Sequence, residues 1–279
     1  MTIQQAILYG EEVLQEKGVD QARWNSEQLL LVALHQPRSK IYADLKRELT
    51  AQELSRFSAL IERRAEHYPL AYLEGTQEFF GREFHVSESV LIPRPESEEI
   101  IHAVKNLQLK EKPILLDLGS GSGNIPITLA LEIRDSYVVA LEVSENAILV
   151  IRRNQKGNVH IVRADFAALS FQPATFDVVT ANLPYVEMHE YINLPSETLW
   201  EPKIALLVES LEETYEKVMK ESLGVLKPDG YLVMEIGFGQ SERLQKVVDS
   251  LPELRLLEMR EDQRGVPRVL ILQKIEASS

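Results

Sequence analysis

The sequence contains no cysteine. Disulfides and thiolate metal sites are therefore excluded, and the absence fits a cytoplasmic protein. No apolar run approaches the ~18 residues that a membrane span needs, so no membrane association is expected. A basic n-region is also missing. The first stretch, MTIQQAILYGEEVLQEKG, carries Glu11 and Glu12 and reads as a mature amphipathic helix, not a signal peptide. Positive charge is scarce: Lys and Arg total 30 against 43 Asp and Glu, a net charge of -13. That balance argues against a broad grip on phosphate backbones and against nucleic acid as the direct substrate, while leaving a local basic patch open. The histidines, His35, His67, His85, His102, His160 and His189, show no ligand spacing, so no metal is expected. Internal repeats and low-complexity tracts are absent.

What is present changes texture along the chain. The first 70 or so residues carry helical signals. Thr2 can cap a helix with Ile3, Ala6, Ile7, Val13 and Leu14 on one face, ended by Gly18. Asp20 can cap a second helix through QARWNSEQLLLVAL. A short helix fits around Ile41 to Leu45. Thr50 and Glu53 form a capping box ahead of Leu54, Phe57, Leu60 and Ile61. Prolines, glycines and aromatics then crowd YPLAYLEGTQEFFGREFHVSESVLIPRPESEEII, which predicts turns and a hairpin from Glu78 to Val86, with a helix over Glu96 to Leu107. From Pro113, strands and helices alternate: ILLDLG, SYVVALEV, VHIVRAD, FDVVTAN and GYLVMEIG are strands with helical segments among them. LRLLEMRED and VPRVLILQKI follow with no helix between, which predicts an antiparallel hairpin at one edge. The expected fold class is α/β: a doubly wound, mostly parallel, seven-stranded sheet with a small N-terminal helical domain.

Two sites follow from this layout. Asp117, Gly119, Gly121 and Gly123 fall where the first strand of the alternating region hands over to its helix, with Ser120 and Ser122 between the glycines. Ligands in such sheets bind outside the C-terminal strand ends, and glycines there allow a tight turn and close approach. Glu142 ends the next strand, about 20 residues on, where an acid accepts from ribose hydroxyls. The spacing is G-x-G-x-G, one residue shorter than the dinucleotide fingerprint, and it favours S-adenosylmethionine. Asp165 could accept from an adenine amino group and Phe166 could pack on the adenine face. A helix cap and a core phenylalanine explain that pair equally well.

The second site is FDVVTANLPYV. An amide or aromatic-amine nitrogen is a poor nucleophile because its lone pair is delocalised. A site helps by accepting both N–H protons, which holds the lone pair in line and stabilises developing positive charge. The Asn182 side-chain oxygen and the Leu183 carbonyl can do this. Pro184 restricts Leu183, and Tyr185 offers a flat wall. Alone, Asn-x-Pro is a common turn; after the fourth strand of a chain with this first turn, it is a candidate acceptor site.

With both sites placed, the chain resembles the release-factor glutamine methyltransferases of the PrmC/HemK family over nearly its whole length. DQARWNSEQLLL, PLAYLEG, EFFGREFHV and VLIPRPESEEII carry the resemblance in the first half. DLGSGSG, ALEVSENA, RRN, EIGFGQ and DQRGVPRVLIL carry it in the second. It implies a Rossmann-like class I methyltransferase fold and methyl transfer to the side-chain amide nitrogen of the glutamine in the Gly-Gly-Gln motif of peptide-chain release factors. It implies S-adenosylmethionine held by Asp117, Gly119 to Gly123, Glu142, Asp165, Phe166 and Asn182. The acceptor glutamine would lie against Asn182, Leu183, Pro184 and Tyr185, with Arg94 and Pro95 also touching substrate. The implied domains are 1–75 for substrate recognition, 76–110 as a connecting segment with a hairpin, and 111–279 for methyl transfer.

Two departures stand out. The family usually has Asn-Pro-Pro-Tyr, where this chain has Leu183. The glycine-rich turn that normally follows WEPKIALLVESLEETY is replaced by Glu209 and its neighbours. Asn-Leu-Pro-Tyr also resembles the ribosomal-RNA adenine dimethylases, so methylation of adenine or cytosine amino groups in RNA or DNA stays open. So does a family member that binds S-adenosylmethionine without turnover.

Overall fold

A computed structural model describes residues 1–276 of the chain. Two compact units divide it, Met1–Gln77 with Leu194–Trp200, and the remainder.

The first unit is helical: α1 (Ile3–Glu16), α2 (Ala22–Leu34), α3 (Arg38–Ala43), α4 (Ala51–Ala65) and α5 (Leu70–Glu74). α1 opens on the capping box that Thr2 predicts, its hydroxyl accepting from Gln5 N at 3.2 Å while Gln5 Oε1 accepts from Thr2 N at 2.9 Å. Thr50 and Glu53 open α4 in the same way. The expected Asp20 cap of α2 is not formed. Gln21, in the left-handed region at φ 52°, is the N-cap and makes no side-chain cap bond. Instead the Asn25 amide reaches back to the Asp20 and Gln21 carbonyls at 3.0 and 3.2 Å, so main-chain acceptors ahead of the helix fix its start. Leu14, Leu29, Leu30, Phe57 and Ile61 form the core. Buried Arg64 binds Asn25 Oδ1 at 2.7 Å, Tyr68 O at 3.2 Å and Glu197 Oε1 at 2.5 Å, which ties the 194–200 segment into this unit.

Two short strands, β1 (Thr76–Phe79) and β2 (Arg82–His85), pair across Phe80 and Gly81, both at positive φ as a two-residue hairpin turn requires. The strands span 76–85, close to the 78–86 hairpin expected. α6 (Glu98–Asn106) follows a single 3-10 turn at Pro95–Ser97.

The alternating region contains β3 (Ile114–Leu118), α7 (Asn124–Glu132), β4 (Tyr137–Glu142), α8 (Glu145–Asn154), β5 (Val159–Arg163), β6 (Phe176–Ala181), β7 (Val186–Glu187), α9 (Met188–Tyr191) and β8 (Leu207–Val208). It closes with α10 (Leu211–Val225), β9 (Leu226–Glu235), α11 (Ser241–Asp249), β10 (Leu254–Glu261) and β11 (Pro267–Lys274). The large sheet has seven strands in the order β10-β11-β9-β6-β3-β4-β5. β5, β4, β3, β6 and β9 run parallel, and β11 is antiparallel to both β9 and β10. This is the doubly wound, mostly parallel sheet with an edge hairpin that the sequence predicts. Alternate strand residues feed opposite cores. Leu115, Val178 and Val233 pack with α6 and α7, whereas Leu116, Val179 and Leu232 pack with α10 and α11. Strands buried on both faces explain the unbroken apolar runs. β3 lies beside β4 on one side and β6 on the other, so their C-terminal ends open on one crevice.

Candidate active site

The turn after β3 is built on positive φ: Gly119 at 67°, Gly121 at 53° and Gly123 at 82°. A Cβ at Gly119 would come within 3.2 Å of the Leu183 side chain, and one at Gly123 within 2.9 Å of Ile127. Both strain and space therefore demand glycine. Glu142 ties this turn to the end of β4: one carboxylate oxygen accepts from Gly121 N at 2.8 Å and the other from Ser144 N at 2.9 Å. Asn154, buried on α8, holds the far side. Its amide donates to the carbonyls of Ser122 and His85, each at 2.9 Å, and its oxygen accepts from His85 N at 2.7 Å.

A cavity opens over this turn, with about 840 Å³ of empty space including its open mouth. Gly119 to Ser122, Asn124, Leu141 to Ser144, Ala147, Ala164 and Phe166 line one part. Asn182, Pro184, Ser97, Arg94, Pro93, Ile204 and Ala205 line the rest. The glycine turn with Glu142 and the end of β6 with Asn182 thus share one cavity. Asn182 Nδ2 donates to Ser97 Oγ at 2.9 Å.

Known proteins fit this arrangement. The family described as PrmC N-terminal domain matches residues 5–75, and the one described as Methyltransferase domain matches residues 109–273. The release factor glutamine methyltransferase of Chlorobaculum tepidum is 36% identical over 236 residues, covering 79% of this chain and 80% of that protein. Its counterpart from Koribacter versatilis is 32% identical over 280 residues, 98% of this chain and 99% of that one. The chain belongs to the release factor glutamine methyltransferase family. A methyltransferase structure from Pyrococcus furiosus, 19% identical, covers 77% of this chain and 98% of its own at a TM-score of 0.54, which shows the shared fold.

Several residues singled out in the sequence stand behind this methyltransferase's cavity and do not line it. Asp117 is buried. Its two oxygens accept from the Thr180 and Ser120 hydroxyls, each at 2.7 Å, so it braces the turn from inside. Burial pushes its carboxyl up to about 7 against those two hydrogen bonds. Gly123 caps α7. Asp165 is exposed and accepts from Ala167 N at 2.8 Å, while its neighbours Ala164 and Phe166 reach the wall. Leu183 sends its side chain into the core, 2% exposed, against Gly119. Tyr185 packs on the same core, and its carbonyl accepts from Gln240 Nε2 at 2.9 Å. Burial raises its phenol to about 12, so it stays protonated. Pro95 begins the 3-10 turn that carries Ser97. Arg94 reaches the wall but is ion-paired with Glu201, whose other oxygen accepts from Ile92 N at 2.9 Å.

Ser97, Asn154, Glu201 and Glu235 were not among the candidate site residues. Glu235 ends β9 and is 3% exposed, with Oε2 lacking a hydrogen-bond partner among the described residues. Burial pushes its carboxyl up to about 7, and hydrogen bonding from Ser97 partly opposes this. A buried acid in the EIGFGQ stretch was the available signal.

Proposed function

We propose that this chain transfers a methyl group from S-adenosylmethionine to the side-chain amide nitrogen of the glutamine in the Gly-Gly-Gln motif of peptide-chain release factors. The observation that carries the reading is the single cavity lined both by the glycine turn with Glu142 and by Asn182 with Pro184. Family membership supports it.

The donor set suits the methyl donor. Glu142 spends one lone pair of each oxygen on a backbone N–H and keeps others for a ribose diol. Gly119 and Gly121 let the backbone approach a ligand closely, and Phe166 and Leu141 offer apolar surface to an adenine. When bound, S-adenosylmethionine supplies a methyl group on a sulfonium, already a good leaving group.

The protein's work is on the acceptor. Asn182 Oδ1 and the Leu183 carbonyl accept the two amide N–H protons of the glutamine and hold its lone pair in line. Pro184 restricts the backbone of Leu183. The leucine preserves the carbonyl that acts and sends its side chain into the core, so the departure from Asn-Pro-Pro-Tyr leaves this chemistry intact. The methylated nitrogen is strongly acidic and loses its proton to water.

Residues 1–75, with the 76–110 segment, would recognise the release factor, and residues 111–279 carry the transfer. Met188, Ile192 and Ile204 are exposed apolar side chains around β7 and β8, and Ile204 reaches the cavity wall. An apolar rim suits a protein better than a polyanion. No helix among the described residues is long and apolar enough to cross a membrane, and the reading puts the chain in the cytoplasm with its substrate.

The test is incubation with S-adenosylmethionine and a release factor, followed by mass spectrometry of the Gly-Gly-Gln peptide. One added methyl group is expected on the glutamine, and Asn182→Ala should slow its appearance by about 10²–10³-fold. Methyl gain on RNA or DNA with none on the release factor would overturn the reading.

A further inference from the structure

We infer that Asn154 is a positioning residue for the methyl donor. It holds the cavity wall at residues 89–91 in fixed relation to the glycine turn, and so sets how tightly the cavity takes S-adenosylmethionine. The inference rests on the reading of this cavity as the donor's site.

Helix α8 presses one face against the glycine turn. A Cβ at Gly123 would come within 3.1 Å of Ile151 Cγ2. Asn154 follows Ile151 by three residues and shares that face. Both ends of its amide are committed. Nδ2 donates to Ser122 O and to His85 O, each at 2.9 Å, and Oδ1 accepts from His85 N at 2.7 Å. The side chain thus exchanges two hydrogen bonds with His85 as one peptide group does with another across an antiparallel pair. Its remaining proton fixes the turn. Asn154 is 6% exposed, so water does not replace these bonds. A carboxylate or an aliphatic side chain of the same size lacks the two donors.

Each anchored point leads directly into the cavity wall. Ser122 belongs to the glycine turn and lines the cavity itself. His85 ends β2, and the chain then turns tightly. Ser87 O accepts from Val90 N at 3.1 Å, and Ser87 Oγ accepts from Ser89 N at 3.4 Å. Val86 and Val90 are buried on either side of this turn. Ser89, Val90 and Leu91 then line the cavity. A short turn with buried flanks passes a shift of His85 on to that wall. The far end of the same segment is pinned by Glu201, which accepts from Ile92 N at 2.9 Å and pairs with Arg94. Asn154 is therefore the pin that joins this segment to the glycine turn, while standing outside the cavity lining. A wall ordered before the ligand arrives spares binding the cost of ordering it, and that cost would otherwise appear as lost affinity.

The experiment is titration calorimetry of the full chain with S-adenosylmethionine and with its demethylated product, alongside Tm. Asn154→Ala should weaken both ligands about tenfold or more, roughly the value of one or two lost hydrogen bonds. Asn154→Asp keeps the size and the bond from His85 N but sets an oxygen against the Ser122 and His85 carbonyls. It should weaken binding at least as much. Arg82→Met is the comparison. It removes the bonds of Arg82 to Glu132 Oε1 and Phe80 O at the other end of β2, at 2.5 and 3.1 Å, and should bind the donor within twofold of wild type. If the Asn154 variants do not fold, hydrogen exchange on the wild-type chain decides. The His85 amide should be equally protected with and without the demethylated product. Asn154 variants that lose Tm but keep wild-type affinity, an equal loss of affinity in Arg82→Met, or a His85 amide protected only when ligand is bound would overturn the inference. A wild-type chain that binds neither ligand would instead sink the reading of the cavity beneath it.

Discussion

Glu142 braces the fold from the wall of the candidate site. Its oxygens accept from Gly121 N and Ser144 N, so the carboxylate joins the glycine turn to the start of α8 before any ligand arrives. A glutamine fills the same space but turns an NH2 group toward one of those two N–H donors. Leaving a buried donor unsatisfied costs about 1–3 kcal/mol. Glu142→Gln should therefore weaken binding of S-adenosylmethionine, or of its demethylated product, by roughly 10- to 100-fold in titration calorimetry. Equal affinity in the variant would mean that neither the turn nor a ribose depends on the carboxylate. Glycine spacing and the downstream acid made this residue legible in the sequence, because the chemistry there is local to two strand ends.

At the scale of elements, the strands and helices of the sheet were legible because strands buried on both faces must be apolar throughout. Caps were legible where they are local, at Thr2 and Thr50. Asp20 misled because Gln21 takes the left-handed conformation and Asn25 supplies the bond from inside the helix. Ser97 and Asn182 are 85 positions apart, and their contact exists only once β6 and the 3-10 turn lie side by side. The pairing of β7 with β8 was equally hidden, since two-residue strands have no periodicity to read. That pair joins the stretch that carries exposed Met188 and Ile192 to the one that carries exposed Ile204, and Lys203 Nζ lies over the Tyr191 ring, 5.4 Å from its centre. If this rim meets the substrate protein, a buried isoleucine there contributes about 1.5–3 kcal/mol. Ile192→Asp should then raise KM for the release factor about tenfold or more, with cofactor affinity and kcat unchanged. A KM within twofold of wild type would assign the rim another role.

The whole molecule carries a net charge of -13, yet four of its acids, Asp117, Glu142, Glu201 and Glu235, are buried in the sheet unit. Burial raises Asp117 from 3.8 and Glu235 from 4.5 to about 7. Between the ordinary and folded values, the native chain binds more protons than the unfolded chain. Unfolding free energy therefore falls as pH rises through that interval. The acids with lowered values, Glu53, Glu132, Glu187, Glu212 and Asp262, act in the opposite sense but only below about pH 4.5, where they lose their partners' support. Self-repulsion among the excess surface acids adds to the loss as pH rises, and salt screens that part alone. Calorimetry should thus find a higher Tm at about pH 5.5 than at pH 8. Adding about 0.5 M salt should recover only the screened share of the difference. The double variant Asp117→Asn/Glu235→Gln keeps the side-chain shapes, and the Ser120 and Thr180 hydroxyls can accept as readily as donate. It should raise Tm at pH 8 by about 5 °C, as expected if ~2 kcal/mol of desolvation is relieved in a chain of this size, and it should flatten the slope from pH 5.5 to 8. A slope unchanged in the variant and abolished by salt would assign the whole effect to the surface.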